Sequence, residues 1–355
     1  MSLTEHRIAI DRIDEQLVQL LNERTQHVLE IGKIKRAAGE EIYAPHRELA
    51  VFKRVVKLNQ GPTPETALRA IYREIMSSAI SLQKSQTIAY LGPEATYTHQ
   101  AAIRRFGASL NYSPQKTIAD VFTEVGKNRA DYGIVPVENS TEGVVTHTLD
   151  MFVDSDLKIV SQIVMPIQHC LSSRSPLSKV TRLYSHPQAL AQCRDWVRLH
   201  LPRAEIIEAS STTRAAELAA EDKQAAAIAS VLAAERNRLP ILETDIQDNS
   251  QNATRFLVLG RQCSPPTGRD RTSLMFSIAD KVGALYNSLA PFRRHRLNMS
   301  KIESRPSKRK AWEYFFFVDC DGHFQEKRLN KAIGELKEHC NFVKVLGSFP
   351  QEEKF

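Results

Sequence analysis

The first 84 residues place their apolar side chains at helical spacing throughout. Ile10, Ile13, Leu17, Leu20, Leu21, Val28, Ile31 and Ile34 form one stripe. That stripe predicts a helix from about Leu3 to Ala38, with no proline to interrupt it and Gly39 to end it. Pro45 suits a first helical turn and predicts a second helix to about Asn59. The run Gly61-Pro62-Thr63-Pro64 breaks that helix; Thr63 is placed to cap a third, with Pro64 at its first position, reaching about Gln83.

Beyond residue 86 the period changes. Short apolar runs at Ile88–Leu91, Tyr132–Val137, Leu157–Ile167, Arg182–Ser185, Ala225–Ala229 and Phe256–Gly260 alternate with helical stretches. Such alternation predicts α/β sheets with crossover helices, and its length suits two lobes with a ligand cleft near the strand carboxyl ends. From 271 onward the order is a strand (Ser273–Ala279), a helix (Gly283–Arg296), two strands (around Ser300–Arg305 and Trp312–Cys320), a helix (Gln325–Cys340) and a strand (Phe342–Leu346). This β-α-β-β-α-β order predicts a ferredoxin-like α+β domain.

With 355 residues the chain is too long for one ordinary core, and three domains are expected: 1–85, 86–262 and 271–355. No run approaches a membrane span and the N-terminus opens on a charged amphipathic pattern, so a cytoplasmic protein with no membrane partner is expected. The five cysteines, Cys170, Cys193, Cys263, Cys320 and Cys340, form no C-x-x-C pair, which argues for reduced thiols and against a metal site. The net charge of +7 is uneven: +2 over residues 1–85, −1 over 86–263 and +6 over 264–355. Arg293-Arg294-His295-Arg296 and Lys308-Arg309-Lys310 lack interleaved aromatics and any zinc-finger or RNP-like word. They read as a solvated basic face, with no nucleic acid as partner.

Three polar words stand where chemistry is expected. Asp248-Asn249-Ser250-Gln251-Asn252-Ala253-Thr254-Arg255-Phe256 crowds amides, a hydroxyl and a fixed cation into a loop at the lip of a strand. Gly92-Pro93-Glu94-Ala95-Thr96-Tyr97-Thr98-His99-Gln100-Ala101 follows a strand and opens a helix, an anion-binding arrangement. Ile134-Val135-Pro136-Val137-Glu138-Asn139-Ser140-Thr141-Glu142-Gly143 ends an apolar run on a polar cluster. In order and spacing these resemble the signature segments of prephenate dehydratases over roughly residues 86 to 262, joined by Ser185-His186-Pro187-Gln188-Ala189-Leu190 and Ser211-Thr212-Thr213-Arg214-Ala215-Ala216. Ala95 stands where that family usually carries Gly, and Tyr97 where Phe is usual.

The resemblance implies that Thr254 protonates or hydrogen-bonds the leaving hydroxyl of prephenate while the ring carboxylate departs as CO2. Thr98, Glu138, Asn139, Ser140, His186, Gln188, Ser211, Thr212, Arg255 and Phe256 would line the substrate site. Arg255 either grips the substrate carboxylate or braces the loop, and His186 either reaches the cleft or serves its own loop.

On the first helix Arg24 and Lys35 are 11 residues apart and return to nearly the same face, roughly 16 Å apart along the axis. Arg7 lies about 25 Å before Arg24 and roughly a quarter-circle off that face. One small ligand cannot touch both from one helix, so a shared site needs a second copy of the chain. The set Arg7, Arg24, Lys35, Arg47, Glu48 and Gln83 resembles the all-helical chorismate mutases. The resemblance implies that Arg7 and Arg24 hold carboxylates, Lys35 and Gln83 face the ether oxygen, Glu48 takes the ring hydroxyl and Arg47 supports them. An intertwined homodimer, or a higher homo-oligomer, follows. Ala44 and Ala79 stand where some members carry an acidic residue and Ser.

Finally, Gly283-Ala284-Leu285 with Glu303-Ser304-Arg305-Pro306 resembles the ACT regulatory domains of phenylalanine-controlled dehydratases, implying L-phenylalanine as effector. The sequence is thus read as a mutase–dehydratase with a sensing domain, acting on chorismate and prephenate without cofactor. Two alternatives remain: a dehydratase with a weakened mutase domain, or a non-catalytic amino-acid-responsive binding protein.

Overall fold

The structure is a computed structural model that describes residues 2–307 and 313–351. Lys308-Arg309-Lys310 and the Trp312 strand start therefore lie outside the described residues. The chain divides into two compact units: residues up to Gln86 with Phe106–Asn111, and Thr87–Arg105 with Tyr112 onward.

The first unit is built on α1 (Leu3–Ala37), α2 (Pro45–Leu58) and α3 (Glu65–Gln83). Ser2 and Glu5 form a capping box at the start of α1, and Gly39 takes a left-handed φ of 68° just past its end. The third helix begins one residue later than expected. Pro64 occupies the cap itself, its carbonyl accepting the first intrahelical bond from the Leu68 N–H, and the helix has no side-chain cap bond. Helix α1 contacts α3, yet its one buried residue is Gly32. Leu3, Ile10, Ile13, Leu17, Leu20, Ile31 and Ile34 are each at least half exposed. An apolar stripe of that length left open on one chain is an unfinished core.

The second unit holds three sheets. Strands β1 (Thr87–Leu91), β2 (Asn111–Gln115), β3 (Tyr132–Asn139), β4 (Gly143–Val144) and β5 (Lys158–Pro166) belong to the first lobe, with α4 (Tyr97–Phe106), α5 (Ile118–Gly126) and α6 (Thr146–Met151). The second lobe runs through β6 (Cys170–Ser173), β7 (Arg182–Ser185), α7 (Pro187–Gln192), α8 (Arg194–His200), β8 (Glu205–Glu208), α9 (Thr212–Glu221), β9 (Ala225–Ala229), α10 (Val231–Arg236) and β10 (Ile241–Glu243). The chain then returns to the first lobe as β11 (Ala253–Gly260). Sheet orders are β2-β1-β3-β11-β5, with β4 on β3, and β10-β6-β9-β7-β8. Two crossings thus join the lobes, at 167–169 and 244–252.

Strand β11 starts three residues before the expected Phe256. It is paired antiparallel to β3 on one side and β5 on the other, and that double ladder draws Ala253-Thr254-Arg255 into the sheet despite their polar neighbours. Thr254 and Arg255 consequently point to opposite faces.

A third sheet is formed by β12 (Asp270–Ser277), β13 (Met299–Pro306), β14 (Tyr314–Asp321) and β15 (Phe342–Pro350), with α11 (Ala284–Arg294) and α12 (Lys327–His339). Its order β13-β14-β12-β15 with antiparallel neighbours is the ferredoxin-like arrangement. Met275, Phe315, Phe317, Leu346 and Phe349 share one buried cluster with Val135, Val137, Ile159, Leu257 and Leu259 of the first lobe. Gly347 makes that approach possible. A Cβ there would lie 2.7 Å from the Ile159 backbone nitrogen and closer still to its carbonyl oxygen. Backbone cannot swing aside as a side chain can, so Gly347→Ala is expected to cost about 1–3 kcal/mol of overpacking, read as a lower denaturant midpoint.

Candidate active sites

In the helical unit Lys35 is held inward. Its Nζ donates to the carbonyls of Glu41 and Ile42, each at 3.1 Å. Burial lowers its pKa from the ordinary lysine value, against the opposing pull of Glu40 and Glu41. Gln83 lies flat on Gly32, where a Cβ would meet its Cγ at 2.7 Å, and its Nε2 reaches the Ala79 carbonyl at 3.2 Å. Arg36 fixes the end of α3 by donating to the Gln83 carbonyl at 2.7 Å. Gly32 was missed by sequence reasoning; its signal was a glycine inside an otherwise strong helical stripe. Arg24 and Glu48 are partly exposed, whereas Arg7 and Arg47 are exposed. Arg7 and Lys35 stand about 42 Å apart along α1 at 1.5 Å per residue.

The dehydratase words meet at the two crossings. Thr254, on β11, pairs in register with Asn139 at the end of β3, and both are buried. Asn139 Nδ2 donates to Thr254 Oγ1 and to Asn252 Oδ1, each at 2.9 Å. Its Oδ1 accepts from the Thr141 N–H and O–H and the Glu142 N–H. Asn252 Nδ2 donates to Gln192 Oε1 at 2.9 Å, and the same oxygen meets His169 Nε2 at 2.9 Å. Tyr97, opening α4, closes the series with its hydroxyl 2.9 Å from His169 Nδ1 and 2.7 Å from the Gln168 carbonyl. Ser140 clamps the strand ends, accepting from Ala253 N–H and donating to the Gln251 carbonyl.

Sequence reasoning did not single out His169, Gln192 or Asn252 as site residues. Asn252 lay inside a quoted word; the other two had no local signal, since tertiary crossing alone brings them together.

Other expected contacts fall elsewhere. Arg255 faces away from Thr254: its guanidinium pairs with Glu138 at 2.5 Å and Asp319 at 2.7 Å, while Lys301 meets Glu138 at 3.0 Å. Arg255 braces the third sheet against the first lobe, and Glu138 is spent in the same cluster. Burial pushes the Glu138 carboxyl up, but the Lys301 bond and the Arg255 and Lys301 charges outweigh it, and its pKa is lowered. Phe256 is a core residue, 1% exposed. The structure thus sets Glu138 and Phe256 apart from the Thr254 cluster and gives Arg255 the bracing contact of its two expected readings, through the strand alternation and the bulge at Arg255/Phe256.

His186 caps α7, its Nδ1 accepting from Gln188 N–H at 3.3 Å, and Gln188 is exposed on that helix. Ser211 caps α9 through Arg214 N–H at 3.0 Å, with Thr212 next to it. Thr98 is buried in the first turn of α4. None of these five hydrogen-bonds to the Thr254 cluster among the described residues.

Ala95 adopts φ 62°, the left-handed region where Gly is free of strain. In the third sheet Gly283, at φ 78°, starts α11 ahead of Ala284 and Leu285. Glu303, Ser304, Arg305 and Pro306 end β13, where Arg305 pairs with Asp150 of α6 at 3.2 Å.

A helical unit carrying fixed cations, followed by a two-lobed α/β unit with a hydroxyl and amides at its crossings, is the arrangement of a multidomain enzyme for small anionic substrates. Models of two families match it: chorismate mutase type II over residues 6–84 and prephenate dehydratase over 88–264. The bifunctional chorismate mutase/prephenate dehydratase of Aquifex aeolicus (strain VF5) is 51% identical over 354 residues, covering 98% of each chain. That of Neisseria gonorrhoeae is 43% identical over 352 residues, covering 98% of this chain and 97% of its own. Among solved structures, the prephenate dehydratase of Arthrobacter aurescens in complex with L-Phe is similar at TM-score 0.69 and 35% identity, covering 75% of this chain and 90% of that one. The chain belongs to the bifunctional chorismate mutase/prephenate dehydratase family, with a mutase domain at its N-terminal end and a dehydratase domain following it.

Proposed function

We infer that the two domains act in sequence, the first turning chorismate into prephenate and the second turning prephenate into phenylpyruvate, on a route to L-phenylalanine. In the mutase step one C–O bond breaks as one C–C bond forms, with negative charge growing on the ether oxygen. Lys35 and Gln83 supply donors there, and Arg7 and Arg24 hold the carboxylates. Glu48 takes the ring hydroxyl and Arg47 supports the set. Such preorganised charge needs no nucleophile. The open stripe of α1 and the length of that helix support a homodimer in which Arg7 comes from the partner.

Lys35 must be charged to act, and burial lowers its pKa. The mutase rate is therefore expected to fall with rising pH below the ordinary lysine range, and Lys35→Arg should remove that alkaline limb. A pH–rate profile of chorismate disappearance checks both.

In the dehydratase step the hydroxyl leaves with a proton as water, the ring carboxylate leaves as CO2, and the freed electron pair completes the aromatic ring. Thr254 is the proposed donor to the leaving hydroxyl, with Asn139, Ser140 and Thr98 around it. The single observation behind this is the Asn139–Thr254 bond, which uses the threonine oxygen as acceptor and leaves its proton to give. His186, Gln188, Ser211 and Thr212 serve helix starts in the second lobe and shape its edge.

The third domain is proposed as an ACT domain that binds L-phenylalanine at Gly283-Ala284-Leu285 and Glu303-Ser304-Arg305-Pro306 and slows the dehydratase. Following chorismate through prephenate to phenylpyruvate with the full-length chain, with and without phenylalanine, tests the whole reading. No phenylpyruvate, or a rate indifferent to phenylalanine, would overturn the corresponding part.

A further inference from the structure

The hydrogen bonds that end on Thr254 have a direction, and it can be read atom by atom. Backbone N–H groups only donate. Because those of Thr141 and Glu142 reach Asn139 Oδ1 at 2.9 and 3.0 Å, the amide of Asn139 must turn its Nδ2 toward Asn252 and Thr254. Asn252 then accepts with Oδ1 and donates with Nδ2, so Gln192 must present Oε1 to it. A carboxylate fixes the same amide from its other end: Gln192 Nε2 faces Glu142 Oε1 at 3.4 Å. Gln192 Oε1 therefore also faces His169 Nε2, which has to carry a proton.

That leaves His169 Nδ1. Burial lowers the His169 pKa, opposed by the Gln192 bond, so the ring is neutral with its one proton on Nε2. Nδ1 is then an acceptor facing the Tyr97 hydroxyl at 2.9 Å, whose one proton lies between it and the Gln168 carbonyl at 2.7 Å. Tyr97 is half-buried, and desolvation of its hydroxyl raises its pKa well above the usual phenol value and keeps the proton on oxygen. Donors converge on Gln192 Oε1 from two sides, from Tyr97 through His169 and from Asn139 through Asn252, while Asn139 Nδ2 also donates to Thr254.

We propose that Tyr97 and His169 are positioning residues for prephenate dehydration, closing the far end of a hydrogen-bond network that converges on Gln192 Oε1 and holds Asn252, Asn139 and Thr254 with the threonine proton turned to the substrate. This rests on Thr254 being the proton donor.

The test uses the full-length protein with isotope-labelled imidazole nitrogens, and prephenate and chorismate as separate substrates. In mildly alkaline buffer the His169 resonances, assigned by their loss in His169→Gln, are expected at the positions of a neutral Nε2–H ring. In Tyr97→Phe, Gln192 still holds the proton on Nε2, and the Nδ1 resonance should move toward that of an imidazole nitrogen with no donor. Tyr97→Phe should lower kcat for prephenate about threefold to tenfold, the worth of one hydrogen bond, with KM within about twofold. His169→Leu should lower kcat about tenfold to a hundredfold, and His169→Gln, whose Nε2–H can still reach Gln192, should restore it to within about threefold of wild type. The mutase rate stays unchanged in all.

An Nδ1–H or doubly protonated His169 in the wild type overturns the proposal. So does an unchanged kcat in His169→Leu, or an equal loss in His169→Leu and His169→Gln. Should His169→Leu fail to fold, the tautomer in wild type and the Nδ1 resonance in Tyr97→Phe decide alone. Failure of the Thr254 assignment reads differently: Thr254→Ala would keep its dehydratase rate whatever the tautomer.

Discussion

Thr254→Ala is expected to lower kcat for prephenate dehydration by about a hundredfold to a thousandfold, the usual loss when one preorganised donor to developing charge is removed. KM should change little, because Asn139 and Ser140 remain to line the site. Chorismate mutase activity should be untouched, since Thr254 and the helical unit belong to separate compact bodies. The substitution is mild for the fold. Thr254 is buried between two paired strands, and losing its hydroxyl frees one Asn139 N–H while the Asn252 bond persists. A normal denaturation midpoint with a collapsed dehydratase rate is the signature of a chemical role. Unchanged phenylpyruvate production would instead make the cluster a structural one.

The second large effect concerns the helical unit. Arg7→Ala and Arg24→Ala homodimers should each be nearly inactive as mutases. Mixing them after dissociation should recover about a quarter of the wild-type sites, because half the dimers are mixed and one of their two sites then has both arginines. No recovery in demonstrably mixed dimers would mean that Arg7 and Arg24 serve one chain each. The physical basis is the open apolar stripe on α1 and the axial distance between the two arginines, which one chain cannot close.

Both tests draw on features of unequal legibility. The helix from Leu3 to Ala37 was plain in the sequence because an apolar stripe sustained from Ile10 to Ile34, with no proline in it and a glycine beyond its end, admits no other period. The βαββαβ order of the third sheet and its two helices was equally plain, since each apolar run and helix was separated by turn residues. Thr254 and Arg255 were placed in a loop because their neighbours Asp248 to Asn252 favour one. Only the ladders of β3 and β5, far away in sequence, show that they sit in a sheet and face apart. Glu138, Arg255 and Phe256 were assigned to substrate for the same reason: adjacency in a motif says nothing about which side of a strand a residue occupies. His169 and Gln192 were silent because their meaning comes from a crossing between lobes.

Strand β11 has a hydroxyl on one face and a guanidinium on the next residue's other face. A slip of one position in its pairing would carry the cation into the amide cluster and leave the hydroxyl among Glu138, Lys301 and Asp319. A single-residue deletion anywhere between Ala253 and Gly260 therefore forfeits the reaction chemistry and the anchorage of the third sheet together. Length in this strand is less free to drift than in the surface loops around it, and natural variants should show substitutions here but no gaps.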